Sequence, residues 1–221
     1  MEGEMKVVYG RKRIDFATLD ADPDFKRLAE PVIALGSGLP EKNVAFAFGD
    51  WKEFVKFASR TEARDKIASM DERRRKLRKR SGEDTSAIAA CLKRKADHIE
   101  AELRELASRT GLAFGSKELF LRATTKADQL EGPIFDPSML FTNVGFSGSA
   151  VAAFYPGLPD LSWFPGMNNA VSSVQAIGVV GLFNGTLFRG ASRVLFGLPY
   201  FQIANLGTIG FNNLTSSVLI D

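Results

Sequence analysis

The chain has 221 residues, 45% of them hydrophobic, with 29 basic against 26 acidic residues and a formal charge of +3, enough apolar material for one large domain or two modest ones. Cys91 is the only cysteine, which excludes an intrachain disulfide framework, and the longest apolar run, around Ile177 to Phe183, is far too short to span a bilayer. Charge is unevenly spread: residues 131–221 hold only Arg189 and Arg193 against Glu131, Asp136, Asp160 and Asp221. The chain is therefore expected to divide there, into residues 1–130, a linker at 131–137 rich in proline and glycine, and a second part at 138–221.

Met1 to Lys6 has no apolar stretch behind a basic start, so the expectation is synthesis without a signal peptide and a cytoplasmic or particle-assembled location. Lys6–Tyr9 and Arg13–Phe16 carry β-branched and aromatic residues around a turn at Gly10, which suits a short hairpin. Asp20, Asp22 and Asp24 crowd three carboxylates into five residues. That spacing could hold a cation, but with Pro23 it better fits a capped helix start before Phe25. Gly36-Ser-Gly38 precedes Leu39-Pro40, without the glycine spacing of a phosphate-binding turn, and reads as a loop.

From Asp50 the pattern becomes helical. Asp50-Trp-Lys-Glu53 resembles a capping box, and Trp51, Phe54, Val55, Ala58, Ala63, Ile67, Met70 and Leu77 recur mostly at three- and four-residue steps. After Ser81-Gly82, Thr85 or Ser86 can cap a second helix that runs to Arg109, where Thr110-Gly111 ends it; Ile88, Leu92, Ala96, Ile99, Leu103 and Leu106 form a heptad-like seam. Two such helices joined by a short polar turn are expected to fold as a long antiparallel hairpin over about residues 50–110. Their apolar stripes would face one another, and protein partners or self-association would use the same surface.

Arg73 to Arg80 holds seven basic residues in eight. Such a run could neutralise phosphates of nucleic acid or another polyanion. It equally suits a helix C-terminus, where positive charge complements the dipole, and no aromatic residue interleaves it to stack bases. His98, the sole histidine, lies beside Asp97 and Glu100 on a charged face and reads as solvated; a lone imidazole cannot build a His-based metal site, and no Ser/His/Asp constellation with recognisable context surrounds it. No enzyme signature emerges.

Beyond residue 137 helical periodicity gives way to Gly, Phe, Val and Ser with turns about every ten residues, the pattern of an all-β sandwich or barrel. The stretch is duplicated. Phe141-Thr-Asn-Val-Gly-Phe146-Ser-Gly148 recurs as Phe183-Asn-Gly-Thr-Leu-Phe188-Arg-Gly190, and Gly166-Met-Asn-Asn-Ala-Val-Ser-Ser-Val174 recurs as Gly210-Phe-Asn-Asn-Leu-Thr-Ser-Ser-Val218, at offsets of 42 and 44 residues. Paired aromatics can pack over a hairpin turn, and the glycine permits a close backbone approach. Asn-Asn tolerates the left-handed region, and adjacent serines can satisfy loop amides. An ordinary turn used twice would look like this. Yet each copy also crowds amide oxygens, hydroxyls and carbonyls into six residues, as an oxygen-seeking cation requires.

The aromatic-x4-aromatic-x-Gly hairpin followed by Asn/Asp-Asn/Asp-x-x-Ser/Thr-Ser resembles the βγ-crystallin Greek key signature, present twice over residues 138–221. The resemblance implies an all-β Greek key sandwich over that stretch; behind the mainly helical N-terminal part read above, it gives an expected α+β chain in two parts. It also implies two calcium sites. In calcium-binding members, a carbonyl at the third position and a hydroxyl at the fifth position of one polar motif join an Asn or Asp side chain of the other motif and a hairpin carbonyl. Carried over, this nominates Ala170, Ser172 and Asn169 in the first motif, Leu214, Ser216 and Asn213 in the second, and the carbonyls of Val144 and Thr186. No carboxylate stands in that set, so the expected dissociation constants are on the order of 10⁻⁴ M or weaker. The alternative is a structural part of a larger assembly, such as a virion or secretion-type particle, with the charge-poor β module as a packing block.

Overall fold

A computed structural model describes residues 6–36, 39, 41, 44–79, 86–116, 118–119, 138–154 and 157–221. The expected linker at 131–137 and the turn at 81–85 lie outside these.

The first hairpin forms as expected from its β-branched residues, with β1 (Lys6–Tyr9) and β2 (Lys12–Asp15) paired around Gly10 at φ +60°. After a short helix α1 (Phe16–Ala21), the Asp22 side chain accepts from the amides of Asp24 and Phe25 at 2.8 and 3.0 Å, capping α2 (Pro23–Lys26). Asp22 thus starts a helix, while Asp20 falls within α1.

Two strands that the periodicity did not reveal follow, β3 (Val32–Gly36) and β4 (Val44–Phe48). Their near-continuous apolar runs are the mark of strands covered on both faces. β4 pairs with β1 in parallel and with β3 antiparallel, and β3 runs parallel to β9 (Ser192–Ile203). A Cβ on Gly36, at φ +134°, would collide with the Phe196 backbone, so only glycine allows this strand to lie so close. The N-terminal part is therefore mixed, and four of its strands extend the sheet of the C-terminal part in the order β2-β1-β4-β3-β9.

In the duplicated region, β5 (Ser138–Asn143) pairs with β6 (Ser147–Ala153) and with β8 (Ser173–Phe183), while β10 (Ser217–Ile220) pairs with β8 and β7 (Gly157–Leu158). β8 and β9 are long enough to serve both repeats. Their register shifts by two residues between Ile177 and Gly178, and such a bulge bends the ladder. Leu140, Val151, Val174, Ala176, Val180, Leu182, Leu195 and Val218 join Phe164, Met167, Leu206 and Phe211 in one buried core, as alternate residues of facing strands do.

The single helix expected from Asp50 is two helices, α3 (Trp51–Ala58) and α4 (Arg64–Lys79). The Ser59 and Thr61 hydroxyls donate to the carbonyls of Lys56 and Ala58, each at 2.8 Å, and end the first. At its start Asp50 accepts from the Glu53 amide at 2.8 Å, while Glu53 accepts from the Gly49 amide at 2.9 Å, one residue earlier than a strict capping box. The helix α5 (Ser86–Thr110) ends at Gly111, φ +68°, with the Thr110 hydroxyl bonded to the Leu106 carbonyl.

Among the described residues the stripes of α4 and α5 do not face one another in the way the expected antiparallel hairpin requires. Trp51, Phe54, Ala58, Ala63, Ile67 and Met70 pack against Val179, Phe183, Phe196 and Leu219, the outward face of the second repeat. Ala96, Ile99 and Leu103 of α5 belong to the other cluster, with Met139 and Phe141 of the first repeat. The equivalence is close: Phe183 meets Trp51 at 5.5 Å and its counterpart Phe141 meets Phe114, just after α5, at 6.2 Å. Each stripe is buried against a sheet face, since the apolar stripe of a helix and the apolar face of a sheet both need a covering layer. The Ile88 and Leu77 side chains lie outside the description. The low charge of residues 138–221 is thus matched by faces buried under the chain's own helices.

The basic run is partly turned inward. Arg74, 5% exposed, donates to the Phe188 carbonyl at 2.9 Å and to Glu30 at 3.0 Å, with its guanidinium 4.7 Å from the Trp51 ring centre. Arg78 reaches both Glu30 oxygens at 2.8 and 3.1 Å, and Arg73 pairs with Asp221. Arg75, Lys76 and Lys79 face outward, the first two paired with Asp71 and Glu72. His98 is exposed, 3.4 Å from Glu102. No described helix is long and apolar enough to cross a membrane.

Candidate metal centre

In both Asn-Asn motifs the second asparagine, Asn169 or Asn213, takes the left-handed conformation at φ +52° and +55°. Asparagine tolerates this region better than most residues. Each then bonds to the other motif: the Asn169 amide donates to the Thr215 carbonyl and the Asn213 amide to the Val171 carbonyl, both at 3.0 Å. The side chains follow the backbone. Ser172 Oγ donates to Asn213 Oδ1 at 3.0 Å, and Ser216 Oγ donates to Asn169 Oδ1 at 2.9 Å. Two reciprocal hydroxyl–amide pairs result, with both serines buried and both asparagines exposed.

Each pair is anchored to one hairpin. The Ser172 amide donates to the Phe141 carbonyl at 2.8 Å and the Ser216 amide to the Phe183 carbonyl at 2.7 Å. One cluster therefore has Ser172 and Asn213 beside the hairpin that carries Val144; the other has Ser216 and Asn169 beside the hairpin that carries Thr186. The Ala170 carbonyl is 3.5 Å from Ser172 Oγ. Val144 and Leu214 are exposed at 53% and 42%, and the Val144 carbonyl accepts from the Ser147 hydroxyl at 3.1 Å. Thr186 is exposed and opens a tight turn in which Leu187 and Phe188 take positive φ, +54° and +58°.

The adjacent serines, Ser173 and Ser217, do something else. Ser173 Oγ accepts from the Phe146 amide at 3.0 Å and donates to the Asn143 carbonyl at 2.7 Å; Ser217 Oγ makes the same pair of bonds to Phe188 and Gly185 at 3.0 and 2.6 Å. These hydroxyls latch the hairpins, so that only the fifth-position hydroxyl remains beside the amide oxygen. The hairpin glycines behave as expected: a side chain on Gly148 or Gly190, both at positive φ, would strike Thr142 or Asn184.

A third feature is repeated as well, on too few residues to stand out in the sequence. Asp160 and Asn205 each cap a 3-10 turn, accepting from the amides of Ser162 and Gly207 at 2.8 Å. Asp160-Leu161 and Asn205-Leu206 form a two-residue echo, visible only once the longer repeats fix the alignment.

The donor set is all oxygen: hydroxyls, amide oxygens and carbonyls, the hard ligands calcium takes. Among the described residues no three His, Cys, Asp or Glu side chains gather where they could hold a metal ion. The chemistry fits a hard cation without formal ligand charge and does not fit zinc or other nitrogen- and sulfur-seeking metals.

No protein-family model matches the chain, and no curated protein matches it. Solved structures that match are βγ-crystallin domains aligned with about 40% of the chain. One, described as bearing on the evolution of the eye lens βγ-crystallin domain fold, is 25% identical over 41% of this chain and 90% of its own, with a TM-score of 0.36. The βγ-crystallin from Ciona intestinalis is 29% identical over 38% of this chain and 99% of its own, at 0.34. Spherulin 3a from Physarum polycephalum is 25% identical over 38% and 80%, at 0.32.

Proposed function

We propose that residues 138–221 form a βγ-crystallin-like module that binds calcium, without catalysis, at two weak sites. The first is held by the Ala170 and Val144 carbonyls, Ser172 Oγ and Asn213 Oδ1, the second by the Leu214 and Thr186 carbonyls, Ser216 Oγ and Asn169 Oδ1. The reading is carried by the reciprocal pairing of Ser172 with Asn213 and of Ser216 with Asn169. Two oxygens from different motifs are already held within 3.0 Å of one another, so an ion would replace one hydrogen bond at little conformational cost. Each hydroxyl would turn its proton away and offer a lone pair. The physical role of the ion is to tie the motifs together, since a ligand bound only by the folded state stabilises it.

The test is thermal unfolding of the full chain titrated with calcium, with magnesium as control. Calcium at about fifty times Kd stabilises by about 2 kcal/mol per site. Ser172→Ala and Ser216→Ala should each remove part of that response and together abolish it. A midpoint that ignores millimolar calcium would overturn the proposal.

A further inference from the structure

The two clusters have the same ligands but not the same charge nearby. The segment Pro159–Leu161 runs between two parts of the second cluster. The Pro159 carbonyl accepts from the amide of Leu187, next to Thr186, and the Leu161 amide donates to the Ser216 carbonyl, both at 2.8 Å. Asp160 stands between these two bonds. At the first cluster the bonds are repeated, from Gly145, next to Val144, to the Ala204 carbonyl and from Leu206 to the Ser172 carbonyl, again both at 2.8 Å. The residue in between there is Asn205. Asp160 is half-buried and Asn205 exposed.

We infer that Asp160 supplies the second calcium site with the negative charge its ligands lack, making it the tighter of the two. The inference rests on the calcium reading above. A carboxylate whose two chain neighbours are hydrogen-bonded to Leu187, beside the hairpin ligand, and to Ser216, which carries the hydroxyl ligand, attracts a divalent ion whether it touches the ion or acts through a water. The first oxygen of Asp160 is engaged by the Ser162 amide at 2.8 Å, which fixes the carboxylate in place without neutralising it. Arg189 is the nearest cation on that hairpin in sequence; it is exposed and lies beyond Phe188, on the outgoing arm. Arg74, which reaches the Phe188 carbonyl, is paired with Glu30.

The experiment is calorimetric titration of the full chain with calcium alone, comparing the wild type with Asp160→Asn, Asn205→Asp and Ser216→Ala. Asn and Asp cap equally well, so both exchanges keep the turn and change only charge; unfolding midpoints without calcium should stay within about 2 °C of wild type. The wild type is expected to show two unequal sites. Asp160→Asn should weaken the tighter about tenfold, bringing the two together, and Asn205→Asp should strengthen the weaker by a similar factor. If Ser216→Ala removes a site while Asp160→Asn changes neither affinity, Asp160 has no such role and the calcium reading stands. If the wild type binds no calcium, both fall.

Discussion

Arg74→Ala tests how the N-terminal part grips the second repeat. Arg74 is 5% exposed, and its guanidinium meets the Phe188 carbonyl, Glu30, and the rings of Trp51 and Phe183 at 4.7 and 5.5 Å. Truncation strips the buried Phe188 carbonyl of that donor, about 1–3 kcal/mol. It also removes a desolvated cation–π contact, about 1–2 kcal/mol, and the packing of the aliphatic stem. Glu30 keeps Arg78 and the Gly190 amide, so the full cost of stranding a buried carboxylate is avoided. The expected loss is about 3–4 kcal/mol, or roughly 10 °C in midpoint for a chain of this size. Arg75→Ala is the control. It lies in the same run with its side chain 68% exposed and paired to Asp71, and should cost under about 0.5 kcal/mol. The assay is denaturant unfolding followed by circular dichroism, with midpoint and slope compared among wild type and both variants. Equal losses for Arg74 and Arg75 would refute the assignment of Arg74 as a buried tie between α4 and the hairpin, and return the whole run to a solvated helix end.

Thr215 is fully buried and its hydroxyl has no hydrogen-bond partner among the described residues, while Val171 holds the equivalent place in the first repeat; Thr215→Val should stabilise by about 1 kcal/mol, read as a higher denaturation midpoint. Ser217→Ala should cost about 2 kcal/mol by orphaning the Phe188 amide. Ser173→Ala should cost about half as much, since its hairpin is open to water at Val144. For Glu30, burial alone would raise the carboxyl, but hydrogen bonds from Arg78, the Gly190 amide and Arg74 hold it below the ordinary glutamate range. A carboxyl depressed by folding contributes stability that is present above its unfolded pKa and lost as pH falls through its folded one. Glu30→Gln should therefore flatten part of the acid limb of stability against pH, with little effect of pH on the difference between the two proteins above the unfolded value.

Sequence by itself determined what is local or repeated. The helix starts before Phe25 and at Asp50 were legible because a cap is settled within four residues, and the duplicated blocks gave the repeats because the same backbone turn demands the same residues twice. The choice of Asn-Asn and Ser-Ser pointed to an oxygen-rich loop. The pairing itself, Ser172 with Asn213 and Ser216 with Asn169, joins residues 41 and 47 positions apart; the family resemblance suggested a crossing, and only the folded chain has the two motifs side by side. Tertiary structure alone decided the covering of the sheet. An amphipathic stripe states that one face of a helix is buried and is silent on what buries it, so α4 and α5 looked like partners when each faced its own repeat. The strands β3 and β4 stayed hidden for a related reason: buried on both sides, they lose the alternation that marks a strand, and their apolar runs take on meaning only beside β9.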